Sequence, residues 1–109
     1  MLGRDYRDVE AEPVAEGITI RWVIGRDEGA PNFAMRVIEF APGAVFTPHD
    51  HPFEHEILVL EGEGVVEGPA GEIAMQPGVA IYVPPDEVHG YRNTGDVALR
   101  FVCVVPHVE

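Results

Sequence analysis

Of the five histidines in this 109-residue chain, four stand at spacings that suit chemistry: His49, His51, His55 and His89. His49-Asp50-His51 is the centre of the pattern, because residues i and i+2 of an extended backbone project from the same face. Two imidazoles side by side fill an apolar core poorly, whereas a neutral ring nitrogen is a good ligand for Mn, Fe, Ni, Cu and Zn. One strand, one tight loop and one later strand suffice to aim all four rings at a single point. A metal site is therefore the first expectation. Cys103 is the sole cysteine, so neither an internal disulfide nor a CxxC zinc or redox pair exists. A metal here must be held by His with Asp or Glu.

The elements that would position these rings read as strands. Twelve glycines and ten prolines punctuate short β-branched and aromatic runs, and turn signals at such regular spacing indicate an all-β sandwich or barrel. The strand candidates are Gly17–Ile24, Asn32–Phe40, Ala44–His49, His55–Leu60, Gly64–Gly68, Gly71–Gln76, Val79–Val83, Val88–Tyr91 and Val97–Val105. Breaks fall at Ala41-Pro42-Gly43, Gly68-Pro69-Ala70-Gly71, Gln76-Pro77-Gly78 and Asn93-Thr94-Gly95-Asp96. No segment shows a 3.6-residue period and no linker divides the chain. Residues 1–16 read as an N-terminal arm or edge strand, and residues 17–109 as one domain.

Composition excludes several classes. Hydrophobic residues make up 46% of the chain, too many for a disordered segment. Nineteen acidic residues against seven arginines, with no lysine, give a net charge of −12, which repels phosphate backbones and argues against nucleic-acid binding. Apolar runs such as Ile57-Leu58-Val59-Leu60 are too short to span a bilayer, and the polar start of the chain lacks a signal-peptide h-region. A soluble, cytoplasmic protein is the expectation.

Two stretches then carry a resemblance. The first runs from Gly43 through His49-Asp-His51-Pro-Phe-Glu-His55-Glu56 to Gly62. The second runs from Gly78 through Pro84-Pro-Asp86-Glu-Val-His89 to Asn93. Together they resemble the two signature motifs of the cupin superfamily, G-x5-H-x-H-x3,4-E-x6-G and G-x5-P-x-G-x2-H-x3-N, at residues 43–62 and 78–93. Asp86 replaces the second motif's glycine, a turn position that Asp tolerates because it visits the left-handed region readily. The usual glutamate of the first motif has two registers. A six-residue gap before Gly62 lands on His55, and period-two alternation agrees, placing His55, Ile57 and Val59 on one face and Glu56, Leu58 and Leu60 on the other. Four residues between His51 and Glu56 would instead restore three histidines and one glutamate. The His55 register resembles small single-domain cupins with four histidine ligands.

That resemblance implies a jelly-roll β-barrel with one divalent metal held by His49, His51, His55 and His89: Mn first, then Fe, with Ni, Cu or Zn possible as purified. Four neutral imidazoles leave the dication's charge undiminished and leave coordination positions open for substrate or O2. It also implies a small-molecule substrate and a homodimer paired through N-terminal strands. No catalytic residue beyond the ligands stands out. Arg36, Phe46, Phe101 and Cys103 are the candidates for a substrate pocket, each against a simpler role: Arg36 in a surface ion pair, the aromatics as core, and Cys103 as a small buried hydrophobe. Tyr82 and Tyr91 read as packing or as hydrogen bonds to a ligand, and Asn93 as serving its turn. His107, after Pro106, reads as solvated. The leading expectation is a metal-dependent dioxygenase-type oxidoreductase. A small-molecule sensor and a metal-dependent isomerase or epimerase are the alternatives.

Overall fold

In the computed structural model, which describes residues 1–107, ten strands form two antiparallel sheets stacked as a jelly-roll sandwich. They are β1 (Glu12–Ala15), β2 (Ile18–Ile24), β3 (Phe33–Phe40), β4 (Val45–His49), β5 (His55–Glu61), β6 (Gly64–Gly68), β7 (Gly71–Met75), β8 (Ala80–Val83), β9 (His89–Asn93) and β10 (Leu99–Pro106). The larger sheet has the order β1-β2-β3-β10-β5-β8 and the smaller β4-β9-β6-β7. Among the described residues, helix is confined to two short 3-10 turns, Tyr6–Asp8 and Arg26–Glu28. None is long and apolar enough to cross a membrane. The last two residues of the expected 17–109 domain lie outside the described residues.

Alternation builds the core. Along β10, Leu99, Phe101, Cys103 and Val105 are buried while the residues between them are half-exposed. Along β5, His55, Ile57 and Val59 face inward and Glu56 and Leu58 outward. Opposite these stands the inward side of β9, where Tyr91 meets Phe101 with ring centroids 5.6 Å apart and Phe40 at 6.1 Å. Such ring pairs add about 0.5–1.5 kcal/mol each beyond the area they bury. The end of the first motif depends on Gly62: its φ is +85°, and a Cβ there would lie 2.3 Å from the Ala98 carbonyl oxygen.

Within residues 1–16, expected as an arm or edge strand, β1 pairs with β2 at the edge of the larger sheet. Other boundaries differ from the sequence reading, for local reasons. The last strand starts at Leu99 rather than Val97, because the Val97 carbonyl accepts from Asn93 Nδ2 at 2.8 Å. That amide also donates to the Phe40 carbonyl, and Asn93 Oδ1 accepts from the Gly95 amide. His107 is not free in solvent: its Nε2 lies 2.7 Å from the Ala30 carbonyl and its amide donates to Asn32.

Candidate metal centre

Strand ends bring the histidines together. His49 closes β4 and His89 opens β9, and the register pairs them directly, with ring centroids 4.4 Å apart. His51 lies in the loop between β4 and β5, its ring stacked on Phe53 at 4.0 Å. His55 opens β5 on the other sheet. Asp86, at φ +64°, turns the chain so that its amide donates to the His51 carbonyl at 2.8 Å, tying the second motif to the first. That turn also places the Glu87 carbonyl beneath His89.

Three of the rings are held alike. His49, His51 and His89 place Nδ1 at 3.2, 2.8 and 2.8 Å from the carbonyls of Thr47, Phe53 and Glu87. A carbonyl only accepts, so these contacts assign the proton to Nδ1 and leave the Nε2 lone pair facing inward. Among the described residues, these three form the group whose ligand atoms all lie within 4.8 Å of one another. His89 Nε2 is buried and has no hydrogen-bond partner, a costly state for a polar atom unless a ligand completes it. The donor set fits a borderline transition metal.

His55 reaches the group differently. Its Nε2 is 2.8 Å from His51 Nε2, while its Nδ1 faces Cys103 Sγ at 3.3 Å and Arg36 Nη2 at 3.5 Å. Only 5% of its surface is exposed. Burial, then the Arg36 charge, pushes its pKa down to about 3, so the ring is neutral across the physiological range. Burial likewise lowers the His89 pKa. Glu56, the other register's ligand, is exposed on the outer face of β5.

His49, His51 and His55 open onto a cavity of about 230 Å³ whose walls include Arg36, Phe46, Phe101 and Cys103, together with Phe40, Phe53 and Tyr91. Among the described residues no carboxylate lines it. Burial raises the pKa of the Cys103 thiol and of the Tyr91 hydroxyl, so both keep their protons. Tyr82 is exposed on the outside. Phe53 and Trp22 were not legible as site residues. Phe53 sits in an aperiodic loop, and Trp22 comes near Arg36 only through the β2–β3 register.

Comparison with known proteins follows the same lines. The Cupin domain family model matches residues 36–105. The dimethylsulfoniopropionate lyase DddW of Ruegeria pomeroyi is 34% identical over 102 residues, covering 86% of this chain and 66% of that protein. The glucose-6-phosphate isomerase of Pyrococcus abyssi is 37% identical over 93 residues, covering 72% and 48%. The chain thus spans about half to two thirds of the length of these curated relatives. The structure of the polyketide cyclase RemF from Streptomyces resistomycificus superposes with a TM-score of 0.87 at 35% identity, covering 97% of this chain and 80% of that one.

Proposed function

The chain belongs to the cupin family, and from that premise we propose that it is a metal-dependent enzyme acting on a small organic molecule, with His49, His51, His55 and His89 as ligands. The observation that carries this reading is the buried, unpartnered Nε2 of His89 facing the rings of His49 and His51. His55 as fourth ligand is supported by its inward position on β5 and its 2.8 Å approach to His51. Manganese is the proposed ion, then iron. Such an ion supplies Lewis acidity and the means of using O2. The protein supplies the rest. Phe46, Phe53 and Phe101 exclude water and shape the cavity, and the three carbonyls fix which ring nitrogen His49, His51 and His89 present.

Within this reading, dioxygenase-type oxidoreduction is the proposed chemistry, because among the described residues no carboxylate lines the cavity to serve as a general base. A non-redox lyase, isomerase or cyclase is the second reading. It is favoured by the Tyr91 side chain in the same cavity and by the activities named for the relatives. Turnover of a panel of small enolisable and unsaturated molecules by Mn- and Fe-loaded protein, with and without O2, separates the two. Loss of turnover under argon is the expected result; turnover that ignores O2 selects the second reading, and metal-dependent binding without turnover selects a sensor.

A homodimer belongs to the same proposal. β1 ends one side of the larger sheet, and the outer face carries exposed Met35, Leu58 and Tyr82, which a second copy would cover. Sedimentation equilibrium should report twice the chain mass, and a monomer at micromolar concentration would refute it.

A further inference from the structure

Arg36 is the anomaly of the cavity. In a chain with nineteen acidic residues, Arg4, Arg7, Arg21, Arg92 and Arg100 each lie within 4 Å of a carboxylate. Arg36 makes no ion pair within 4 Å among the described residues, although Asp27 and Glu28 line a cavity with it. Its Nη2 donates instead to the neutral thiol of Cys103 at 3.0 Å, and its Nε is buried without a partner. The guanidinium is displayed on a lateral row of the larger sheet, where Trp22 of β2, Arg36 of β3 and Cys103 of β10 stand in register. Below it lies the Trp22 ring, 5.4 Å from Cζ to the ring centre. A cation set on an aromatic face holds its place without an anion. A guanidinium nonetheless loses hydration on burial, and an anion restores the balance far better than a thiol or a ring.

The position of Arg36 says where that anion comes from. Arg36 and Phe53 line both the histidine cavity and a second one of about 340 Å³, whose lining includes Trp22, Arg26, His107 and the acids Asp27 and Glu28. The Arg36 charge therefore sits on the wall between the histidines and the outer cavity. Apart from the histidines, Arg36, Cys103 and Tyr91, the inner cavity is apolar.

We propose that Arg36 is a carboxylate anchor, and that the inner cavity takes a small monocarboxylate whose charge pairs with the guanidinium while its apolar body lies against Phe46, Phe53 and Phe101. This deepens the reading of the cavity as a substrate site and rests on it. An Arg fork matches a carboxylate with two parallel hydrogen bonds. A cavity of about 230 Å³ is below the range typical of drug-sized ligands, which confines the body to a short chain or a single ring.

The test compares 3-methylbutanoate with its neutral isostere 3-methylbutanamide. Calorimetry gives the affinities, and the fluorescence of Trp22, the sole tryptophan, reports events at Arg36. Metal-loaded wild type should bind the carboxylate about tenfold more tightly than the amide, with a change in Trp22 emission. Arg36→Met should abolish the preference, and Arg36→Lys should keep part of it, at unchanged metal content. A wild type that does not discriminate, or an Arg36→Met protein that keeps the preference, would overturn the anchor. So would a preference that vanishes when metal is stripped from protein with Arg36 intact, because the ion would then be holding the carboxylate. Metal content measured on every sample keeps the two readings apart. Protein that binds no metal yet shows an Arg36-dependent preference retains the anchor while the metal centre falls.

Discussion

On the side of the smaller sheet, His49 and His89 stand on paired strand ends, and with His51 of the adjoining loop each turns Nδ1 toward a backbone carbonyl. On the side of the larger sheet, His55 turns Nδ1 toward a guanidinium and a thiol. A carbonyl only accepts, so it locks the ring tautomer that offers Nε2 to a cation. A guanidinium only donates and a thiol accepts weakly, so nothing behind His55 locks it equally firmly. A proton on His55 Nε2 would satisfy its short contact with His51 when no ion is bound; to offer that nitrogen to an ion the ring would have to carry its proton on Nδ1 instead, where the Cys103 sulfur is the acceptor at hand. The three carbonyl-backed rings are thus set before metal arrives, whereas His55 exchanges a hydrogen bond for a metal bond. The lesson is that ring atoms of one residue type within a few ångströms are not equivalent ligands; the partner on the far nitrogen ranks them.

The largest effects should separate the two walls. His51→Ala or His89→Ala should reduce metal affinity on the order of a hundredfold or more, since loss even of a ligand's supporting partner costs 10–100-fold. His55→Ala should cost less, about tenfold to a hundredfold, yet enough to strip most of the metal on dialysis. Glu56→Ala should change nothing beyond twofold or so, given its outward position. Elemental analysis after dialysis against a graded chelator reads all four. If Glu56→Ala lost metal and His55→Ala kept it, the register that places His55 in the site would be wrong.

A smaller effect acts on one wall alone. Gly90 sits between His89 and Tyr91 where β9 presses on β4, and a Cβ there would lie 2.9 Å from both the Phe46 carbonyl oxygen and the Pro48 nitrogen. Neither backbone atom can yield without opening the pairing of His49 with His89. Gly90→Ala should therefore cost about 1–3 kcal/mol of stability, the usual penalty of overpacking, and weaken metal binding with it. Gly68→Ala in β6 meets nothing closer than 3.7 Å and should stay within about 0.5 kcal/mol of wild type. Equal losses at the two glycines in urea titrations would show that the β4–β9 contact is not special.

Much of this division was open to a reader of the chain. The i, i+2 spacing of His49 and His51 and the period-two run from His55 to Val59 depend on strand geometry alone, and the inward side of β5 follows that parity. The proline and glycine breaks located most strand ends for the same reason: Pro cannot donate to a ladder and Gly tolerates the turns. The backing of each ring was not legible. Glu87 and Phe53 supply main-chain carbonyls, which every residue has, so no side-chain pattern marks them. Cys103 reaches His55, and Trp22 reaches Arg36, through cross-strand register, a tertiary quantity that periodicity along one strand does not contain. His107 was misread because a tail's contacts depend on the distant residues Ala30 and Asn32.

Acid should act on both walls at lower amplitude. Unfolded, a histidine titrates near 6.5; folded, His55 titrates at about 3 and His89 is also lowered, in both cases chiefly by burial. Between these values the unfolded chain binds protons that the folded chain refuses. Stability therefore rises with pH across the window and is lost as pH falls from about 6.5 toward 3, with a limiting slope of about 1.4 kcal/mol per pH unit for each such group. Metal-free protein isolates the effect, because bound metal competes with the same protons. Urea midpoints measured at steps from pH 7.5 to pH 4 should decline, and the decline should be shallower in His55→Gln. An unchanged acid limb in that variant would mean that His55 takes up its proton without unfolding. Its ring would then be accessible to protons in the native state.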